Sequence, residues 1–344
     1  MSDSLRIDRI YRRIGFITCS SVFLLFLFGG LVRATGSGMG CPDWPRCFGL
    51  WAPPTCDCDL PANYEAIFLQ KRLEKVKRFS KTLERLGLER QAQVLLDNPY
   101  VDLPEKFDPL KAWIEYINRI FGVLSGFAAT AFVVFAFRHR AFSKVRLWVV
   151  MGFILLLINA WLGSIVVASN LLPGIVSVHY LLAFACLFAF MMALHKNRAF
   201  HWPSFRSSAL LQWGLFAGTM AVVLLGTWTR EQVDLLRLNG ILSDGGHLNM
   251  VDMDSLFIVH RYLPVLLAFW VVMHLRKLPG ETLGTPEFPY LLFVGISLAQ
   301  IGLGAIHIWF LVPTWAQLFH VVLGSSLPVL AFYIALQNSK SASA

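Results

Sequence analysis

Apolar residues are gathered in blocks, and hardly a charged residue interrupts any of them. A helix of about twenty apolar residues spans the roughly 30 Å hydrocarbon core of a bilayer. We count eight such blocks, near residues 14–34, 112–137, 147–168, 175–194, 208–228, 255–275, 288–309 and 315–337. The pattern predicts an all-α polytopic membrane protein with eight transmembrane helices, whose core is the helix bundle itself.

Composition supports this class and excludes an ordinary soluble protein. The chain has 344 residues, of which 56% are hydrophobic and 15% are charged, whereas soluble chains carry about a quarter charged residues. The N-terminus lacks the pattern of a cleaved signal, so we expect the first span to be retained in a bacterial inner membrane.

The net charge of +9 could indicate nucleic-acid binding, but its distribution gives another explanation. Arg230 and Arg237 lie in the short loops on one side, against fourteen Lys and Arg residues on the other side. The fourteen are Arg6, Arg9, Arg12, Arg13, Arg138, Arg140, Lys144, Arg146, Lys196, Arg198, Arg206, Arg276, Lys277 and Lys340. The positive-inside rule therefore places both termini in the cytoplasm, and nucleic acid is not an expected partner.

An internal repeat organises the spans. Aligning Leu162-Gly163 with Leu303-Gly304 brings His179 onto His320, seventeen residues beyond the leucine in both cases. We predict two four-span halves with the same direction of membrane entry, which implies parallel repeats. Residues 1–34 and 112–206 form the first half, 35–111 an outer loop, and 207–344 the second half.

The outer loop contains a basic segment that is predicted to be helical over residues 63–96. Its apolar residues recur at helical spacing: Leu69, Leu73, Val76, Leu83 and Leu86. Two interpretations remain open, a helix that lies on a surface or binds a partner, and a lid packed on the bundle.

Four ligand-type residues fall at matching depths in the even-numbered spans. Asn118, His179, His260 and His320 each lie five or six residues into their span, on the outer side. Two imidazoles on neighbouring helices can bind a haem iron from opposite faces, so we predict haem ligation. His307 has no counterpart in the first half and is a candidate for contact with a ligand.

Charged residues accompany these positions. Arg119 and Arg261 directly follow Asn118 and His260, and can reach either a haem propionate or a lipid phosphate. Glu115 shares a helix face with Arg119. It forms either a structural ion pair or a carboxylate that moves protons or steadies a cationic intermediate beside a haem.

Four of the six cysteines, Cys41, Cys47, Cys56 and Cys58, lie in the outer loop. Their spacings fit zinc patterns poorly, and an oxidising compartment permits disulfides, so we expect a Cys41–Cys47 disulfide. Cys56 and Cys58 are too close for an easy bridge to each other, which leaves their state open.

The segment from Gly29 to Cys47, which includes Cys-Pro-Asp-Trp-Pro-Arg-Cys, closely resembles the first outer-loop signature of haem A synthases. The spans, repeat and histidines extend this resemblance over nearly the whole chain, apart from about residues 60–105. The resemblance implies oxidation of the C8 methyl of haem O to a formyl group, through two successive hydroxylations and loss of water.

The resemblance also implies roles for particular residues. A cofactor haem b sits between His260 and His320, and His179 matches one ligand of the substrate haem in the first half. Glu115 matches the family's important carboxylate, and Cys41 and Cys47 match its outer-loop cysteine pair. Implied partners are a haem O synthase (a farnesyltransferase), cytochrome oxidase assembly factors, membrane lipid and a second copy of the chain.

The sequence departs from the family in three respects. Asn118 stands where a histidine is expected, the loop between the fifth and sixth spans has no cysteine, and the basic insert is long. Two other classes use similar residues, an electron-transfer cytochrome b with bis-His haem and a haem carrier or transporter. The spans lack the Gly/Pro-broken helices at matching positions in both halves that favour a transporter.

Overall fold

A computed structural model describes most of the chain. The described residues are 3–97, 104, 106–169, 174–197, 209–238, 254–275, 288–310 and 312–338. Five of the fourteen charges used for orientation lie outside them: Arg198, Arg206, Arg276, Lys277 and Lys340.

The structure confirms the prediction of an all-α protein with eight apolar helices long enough to cross a membrane. Its helices are α1 (Asp3–Ala34), α2 (Tyr64–Arg85), α3 (Glu89–Leu96), α4 (Pro109–Arg138), α5 (Arg146–Ala168), α6 (Ile175–Lys196), α7 (Ala209–Leu238), α8 (Ser255–Leu275), α9 (Phe288–Trp309) and α10 (Thr314–Asn338). All except α2 and α3 are candidate membrane spans. The regular elements of the described residues are thus helical, and the chain is a multi-pass membrane protein.

Contacts divide the chain into two compact units, Met1–Phe190 and Met191–Ala344. In the first unit α4 packs on α1 and α5. The helices α5 and α6 approach closely at Gly152, where an added Cβ would lie 2.7 Å from the Phe190 ring. Such close packing in a membrane depends on small residues at the interface.

The second unit has its own apolar core between α7, α8, α9 and α10, which includes Leu215, Val271, Phe293 and Ala331. Its helices α8 and α10 contain internal prolines at Pro264 and Pro328. A proline removes the N–H that would bond the carbonyl four residues earlier, which for Pro264 is the carbonyl of His260.

The insert is helical as predicted, with one break. Gly87 adopts a left-handed φ of 74° and Leu88 N donates to the Leu83 carbonyl at 2.9 Å, a glycine-terminated helix end. Helix α2 packs on α5, where the Phe79 and Trp161 rings have centroids 5.9 Å apart. The insert therefore lies on the bundle, and we call α2 the lid helix.

Candidate functional site

The cysteine loop between α1 and the insert lies directly on the first turn of α4. Gly40 makes this approach possible, because an added Cβ would lie 2.5 Å from the backbone carbon and oxygen of Lys111. The next residue, Cys41, donates its backbone N–H to Glu115 Oε2 at 2.8 Å. The predicted Cys41–Cys47 disulfide is present, with both cysteines fully buried.

Glu115 and Arg119 form an ion pair, which was one of the two interpretations of Glu115 from the sequence. Arg119 Nη2 lies 2.5 Å from Glu115 Oε1, and Glu115 is buried. The same guanidinium donates to three loop carbonyls, at 2.9 Å to Cys41, 2.6 Å to Asp43 and 2.9 Å to Arg46. Together the two side chains attach the cysteine loop to α4.

The other cysteines have two different environments. Cys56 and Cys58, whose state the sequence left open, are joined in a second disulfide with Cα atoms 5.1 Å apart, and both are exposed. Cys19 and Cys186 are free thiols within helices, and the Cys186 thiol donates to the Gly152 carbonyl at 3.3 Å.

His179 lies against α5 in the first unit. An added Cβ at Gly163 would be 3.2 Å from His179 Cε1, and the ring is beside the backbone carbonyl of Asn159. The Asn159 side chain is 8% exposed, and its Oδ1 has no hydrogen-bond partner among the described residues. A buried amide oxygen without a partner is costly, so this position is suited to a ligand group.

Asn118 occupies α4 directly before Arg119. Because α4 begins at Pro109, Asn118 lies nine residues after the helix start, further along than the sequence-based span suggested. Its side chain is half-buried.

His260 is held in the second unit by an arrangement like that of His179. An added Cβ at Gly226 would lie 2.9 Å from His260 Cε1. His260 Nδ1 donates to the Val222 carbonyl at 3.1 Å, four residues before that glycine. A histidine whose Nδ1–H is bonded in this way offers its Nε2 to a metal.

His320 lies against Gly304 less tightly, since an added Cβ would be 3.8 Å from its Cε1. Gln300 Nε2 donates to the His320 backbone carbonyl at 2.7 Å. Gln300 and Asn159 are both buried amides, and each precedes its glycine by four residues. Sequence reasoning missed these two amides, although the repeat alignment of Leu162 with Leu303 also aligns Asn159 with Gln300.

The His260 and His320 ring centroids are 6.3 Å apart, with an interplanar angle of 72°. Two metal–imidazole bonds of about 2 Å, with each centroid about 1.2 Å behind its nitrogen, require a separation of about 6 to 6.5 Å. The centroid separation of the His260–His320 pair falls within this range.

His307 is a close neighbour of His320, with ring centroids 5.0 Å apart. This separation is too short for an iron between two opposed imidazoles by the same arithmetic, which requires about 6 Å. His307 thus lies beside a candidate ligand rather than opposite it.

The arginines of the second unit lie in two different environments. Arg261 is exposed and lies over the Tyr262 ring, with its guanidinium carbon 5.6 Å from the centroid. Arg230, which the sequence suggested only as a loop charge, donates to Gln317 Oε1 at 2.8 Å and pairs with Asp234 at 2.9 Å. The repeat-matched Arg119 and Arg261 therefore have different surroundings.

Eight apolar helices, some of which carry half-buried imidazoles, define a multi-pass membrane protein with a candidate haem site. The chain matches the cytochrome oxidase assembly protein family, COX15-CtaA, over residues 12–77 and 93–332. It belongs to this family. Between residues 12 and 332 the match is interrupted only over residues 78–92, a narrower gap than the 60–105 inferred from sequence. The first part of the lid helix therefore follows the family pattern.

Two relatives named heme A synthase are similar to the chain. The protein of Shewanella oneidensis is 24% identical over 254 residues, which cover 72% of this chain and 64% of the relative. The protein of Methylorubrum populi is 27% identical over 341 residues, which cover 90% of this chain and 82% of the relative. The chain thus spans less than two thirds of the length of the first relative.

Proposed function

We propose that the protein is a haem A synthase, a membrane oxidoreductase that converts the C8 methyl of haem O to a formyl group by two successive hydroxylations. The observation that carries the proposal is the His260–His320 pair at 6.3 Å, in a chain of the matched family. The names of the two relatives agree with it.

His260 and His320 are the residues whose imidazoles would hold a resident haem b. The Val222 carbonyl fixes the His260 ring through Nδ1, and Gln300 fixes the backbone that carries His320. A haem held by two imidazoles supplies one-electron transfer when it is bound.

The first half is the proposed site of the substrate haem O. His179 is its imidazole, and Asn118 stands where a second imidazole would close the other face. Asn is a poor iron ligand, because imidazole and thiolate are the usual axial groups. An open face suits a substrate that must enter, react and leave.

Glu115 is the proposed catalytic carboxylate. Both of its oxygens already accept hydrogen bonds, from Cys41 N–H and from Arg119. We therefore assign it the role of a fixed negative charge that steadies positive charge on the substrate, rather than that of a proton carrier.

The proposed setting is a bacterial inner membrane with the active side toward the periplasm. A haem O synthase, which is a farnesyltransferase, would supply the substrate. Cytochrome oxidase assembly factors would receive the product, and a homo-oligomer is the proposed assembly.

The function is tested by co-expression of the chain with an enzyme that produces haem O, followed by extraction and identification of the haems. We expect haem A. Recovery of haems B and O alone, from cells that contain the folded protein, would exclude the proposal and favour an electron-transfer cytochrome b.

The ligand assignment is tested by substitution. His260→Ala or His320→Ala should abolish the low-spin haem b spectrum, whereas Glu115→Ala should retain this spectrum and stop haem A formation. A normal bis-His spectrum in both histidine variants would contradict the assignment.

A further inference from the structure

The inner face of the lid helix carries a buried positive charge. Phe68, Arg72, Val76 and Ser80 follow one another at intervals of four residues, and all are buried. Arg72 is 3% exposed. A guanidinium is costly to remove from water unless anionic or polar groups surround it, so its place in an otherwise apolar stripe requires an explanation.

The neighbours of this stripe show where Arg72 lies. One turn before it, Phe68 packs with Cys41, Cys47 and Ala112 at the start of α4. After it, Val76 belongs to a cluster that includes Ile175 at the start of α6, and Phe79 contacts Trp161 of α5. The lid helix thus runs from α4 to α5 and α6, with Arg72 between them and Ile175 one turn before His179.

A second cation lies on the same part of the lid helix. Lys75 is half-buried and interacts electrostatically with Arg119 and Asp43. Burial, followed by the charge of Arg119, lowers the pKa of the Lys75 ammonium. Arg72 and Lys75 thus place one buried and one half-buried positive charge within one turn of the lid helix, and Lys75 lies near the Arg119 and Asp43 charges at the cysteine loop.

We propose that Arg72 and Lys75 bind the two propionate carboxylates of the substrate porphyrin, so that the lid helix is an anion-binding cover of the first-half site. The inference rests on the proposed function for the identity of the substrate. A guanidinium recognises a carboxylate through paired N–H donors. Arg72 already takes part in an interaction within the fold, and its five donors allow a carboxylate in addition.

The proposal also limits the methyl groups that can lie near the lid helix to those at C5 and C8, each of which shares a pyrrole ring with a propionate. The C8 methyl of a haem shares a pyrrole ring with one propionate, so a protein that fixes the propionates also fixes this methyl. Lys75 interacts with Arg119, which pairs with Glu115. Propionates held by the lid helix would therefore bring the porphyrin edge that carries the C5 and C8 methyls toward Glu115.

The experiment compares two probes that differ only in charge, ferric protohaem IX and its dimethyl ester. Each is titrated into the purified protein that already carries its resident haem, in lipid-depleted detergent, and followed by difference absorption. We expect the wild-type chain to bind the diacid about tenfold more tightly than the diester, the ratio of one charge-assisted hydrogen bond. Arg72→Gln and Lys75→Gln should each reduce this ratio toward one, and Arg72→Lys should restore part of it.

Arg78→Gln is the matched control, because it removes one charge from the same helix where the side chain is 82% exposed. It should leave the ratio unchanged. If Arg72→Gln weakens diacid and diester equally, Arg72 serves only the packing of the helix and the proposal is overturned. Equal affinities in the wild-type chain overturn it as well.

These results are distinguishable from failure of the proposed function. A chain that makes haem A but binds both probes equally would retain the function and lose only the lid inference. A chain that binds the diacid selectively but makes no haem A would retain the lid inference and lose the proposed function.

Discussion

The two halves of the molecule use related positions in different ways. In the first half, Glu115 and Arg119 bond to an external loop, and the buried Asn159 Oδ1 has no hydrogen-bond partner among the described residues. In the second half, the matching amide of Gln300 is bonded to the His320 carbonyl, and His260 is bonded to Val222. The contrast concerns these two amides and not the histidine rings, because His179 Nδ1 and His320 Nδ1 both lack a hydrogen-bond partner among the described residues.

The two halves also differ in the number of histidines at the positions that the repeat aligns. The second half has His260 opposite His320 at a separation that fits an iron, whereas the first half pairs His179 with Asn118 by position.

Replacement of Asn118 should have the largest effect on this comparison. Asn118→His would place an imidazole where the repeat has His260, so we expect a second low-spin haem to be retained on purification. Haem A formation should continue, because a histidine is the residue expected at this position in the family that the sequence resembles. Haem per chain, measured by pyridine haemochrome, and product analysis test this.

Asn118→Gln is the matched control, since it keeps an amide and should not raise the haem content. If Asn118→His changes neither haem content nor spectrum, Asn118 does not face the substrate iron and the comparison of the halves fails at this point.

The glycines beneath the three histidines provide a graded test of smaller effects. An added methyl group lies 2.9 Å from the imidazole at Gly226, 3.2 Å at Gly163 and 3.8 Å at Gly304. Overpacking of this kind costs about 1–3 kcal/mol. We expect Gly226→Ala to shift the electron paramagnetic resonance signal of the resident haem, Gly163→Ala to weaken substrate binding only, and Gly304→Ala to change little.

Gly295 and Gly302 are the controls on α9, because nothing lies within 4 Å of an added Cβ at either position. Alanine there should leave both haem sites unchanged. Equal effects of all five substitutions would show that helix packing in general, rather than the position of the imidazole, is being disturbed.

The smallest expected effect concerns how the first turns of α4 and α8 respond to pH. Asp254 accepts hydrogen bonds from Trp228 Nε1 at 3.0 Å, Gln232 Nε2 at 2.6 Å and Leu256 N at 2.8 Å, so it ties α7 to α8. Among the described residues, Asp108 at the start of α4 accepts a hydrogen bond from Lys111 N, three residues later in the chain. The Trp228 indole N–H, with the other donors, lowers the pKa of the Asp254 carboxyl.

A carboxyl whose pKa is lowered on folding stabilises the protein above its ordinary pKa, and this stabilisation is lost as the pH falls through the folded value. We expect hydrogen exchange at the start of α8 to accelerate on acidification below the ordinary carboxyl range, with little change at the start of α4. Asp254→Asn should remove this pH dependence. An equal pH response in the variant would assign it to another group.

The membrane helices were predictable because length and apolar content decide whether a segment spans a bilayer. The insert was predictable as a helix from the spacing of Leu69, Leu73 and Val76, but its break at Gly87 was not. Whether a glycine adopts a left-handed φ depends on the path of the chain that follows it. The apolar periodicity continues on both sides of Gly87, so the pattern does not indicate the break.

The site was predictable in its residue types and not in its contacts. Arg119 was expected to reach a propionate or a lipid, yet it bonds to carbonyls of a loop more than seventy residues away. Such pairing depends on how the loop folds over α4, which no local pattern encodes. Arg72 was passed over because helical periodicity assigns a charged residue to solvent by default.

Gly40 has a consequence for how this sequence can diverge. A Cβ added at Gly40 would lie 2.5 Å from backbone atoms of Lys111. A backbone, unlike a flexible side chain, cannot move aside by adopting another rotamer. Every other amino acid there would push the cysteine loop off α4 and separate Cys41 from Glu115. In a saturation library selected for activity, position 40 should accept glycine alone, while the neighbouring Met39 tolerates exchange for other apolar residues.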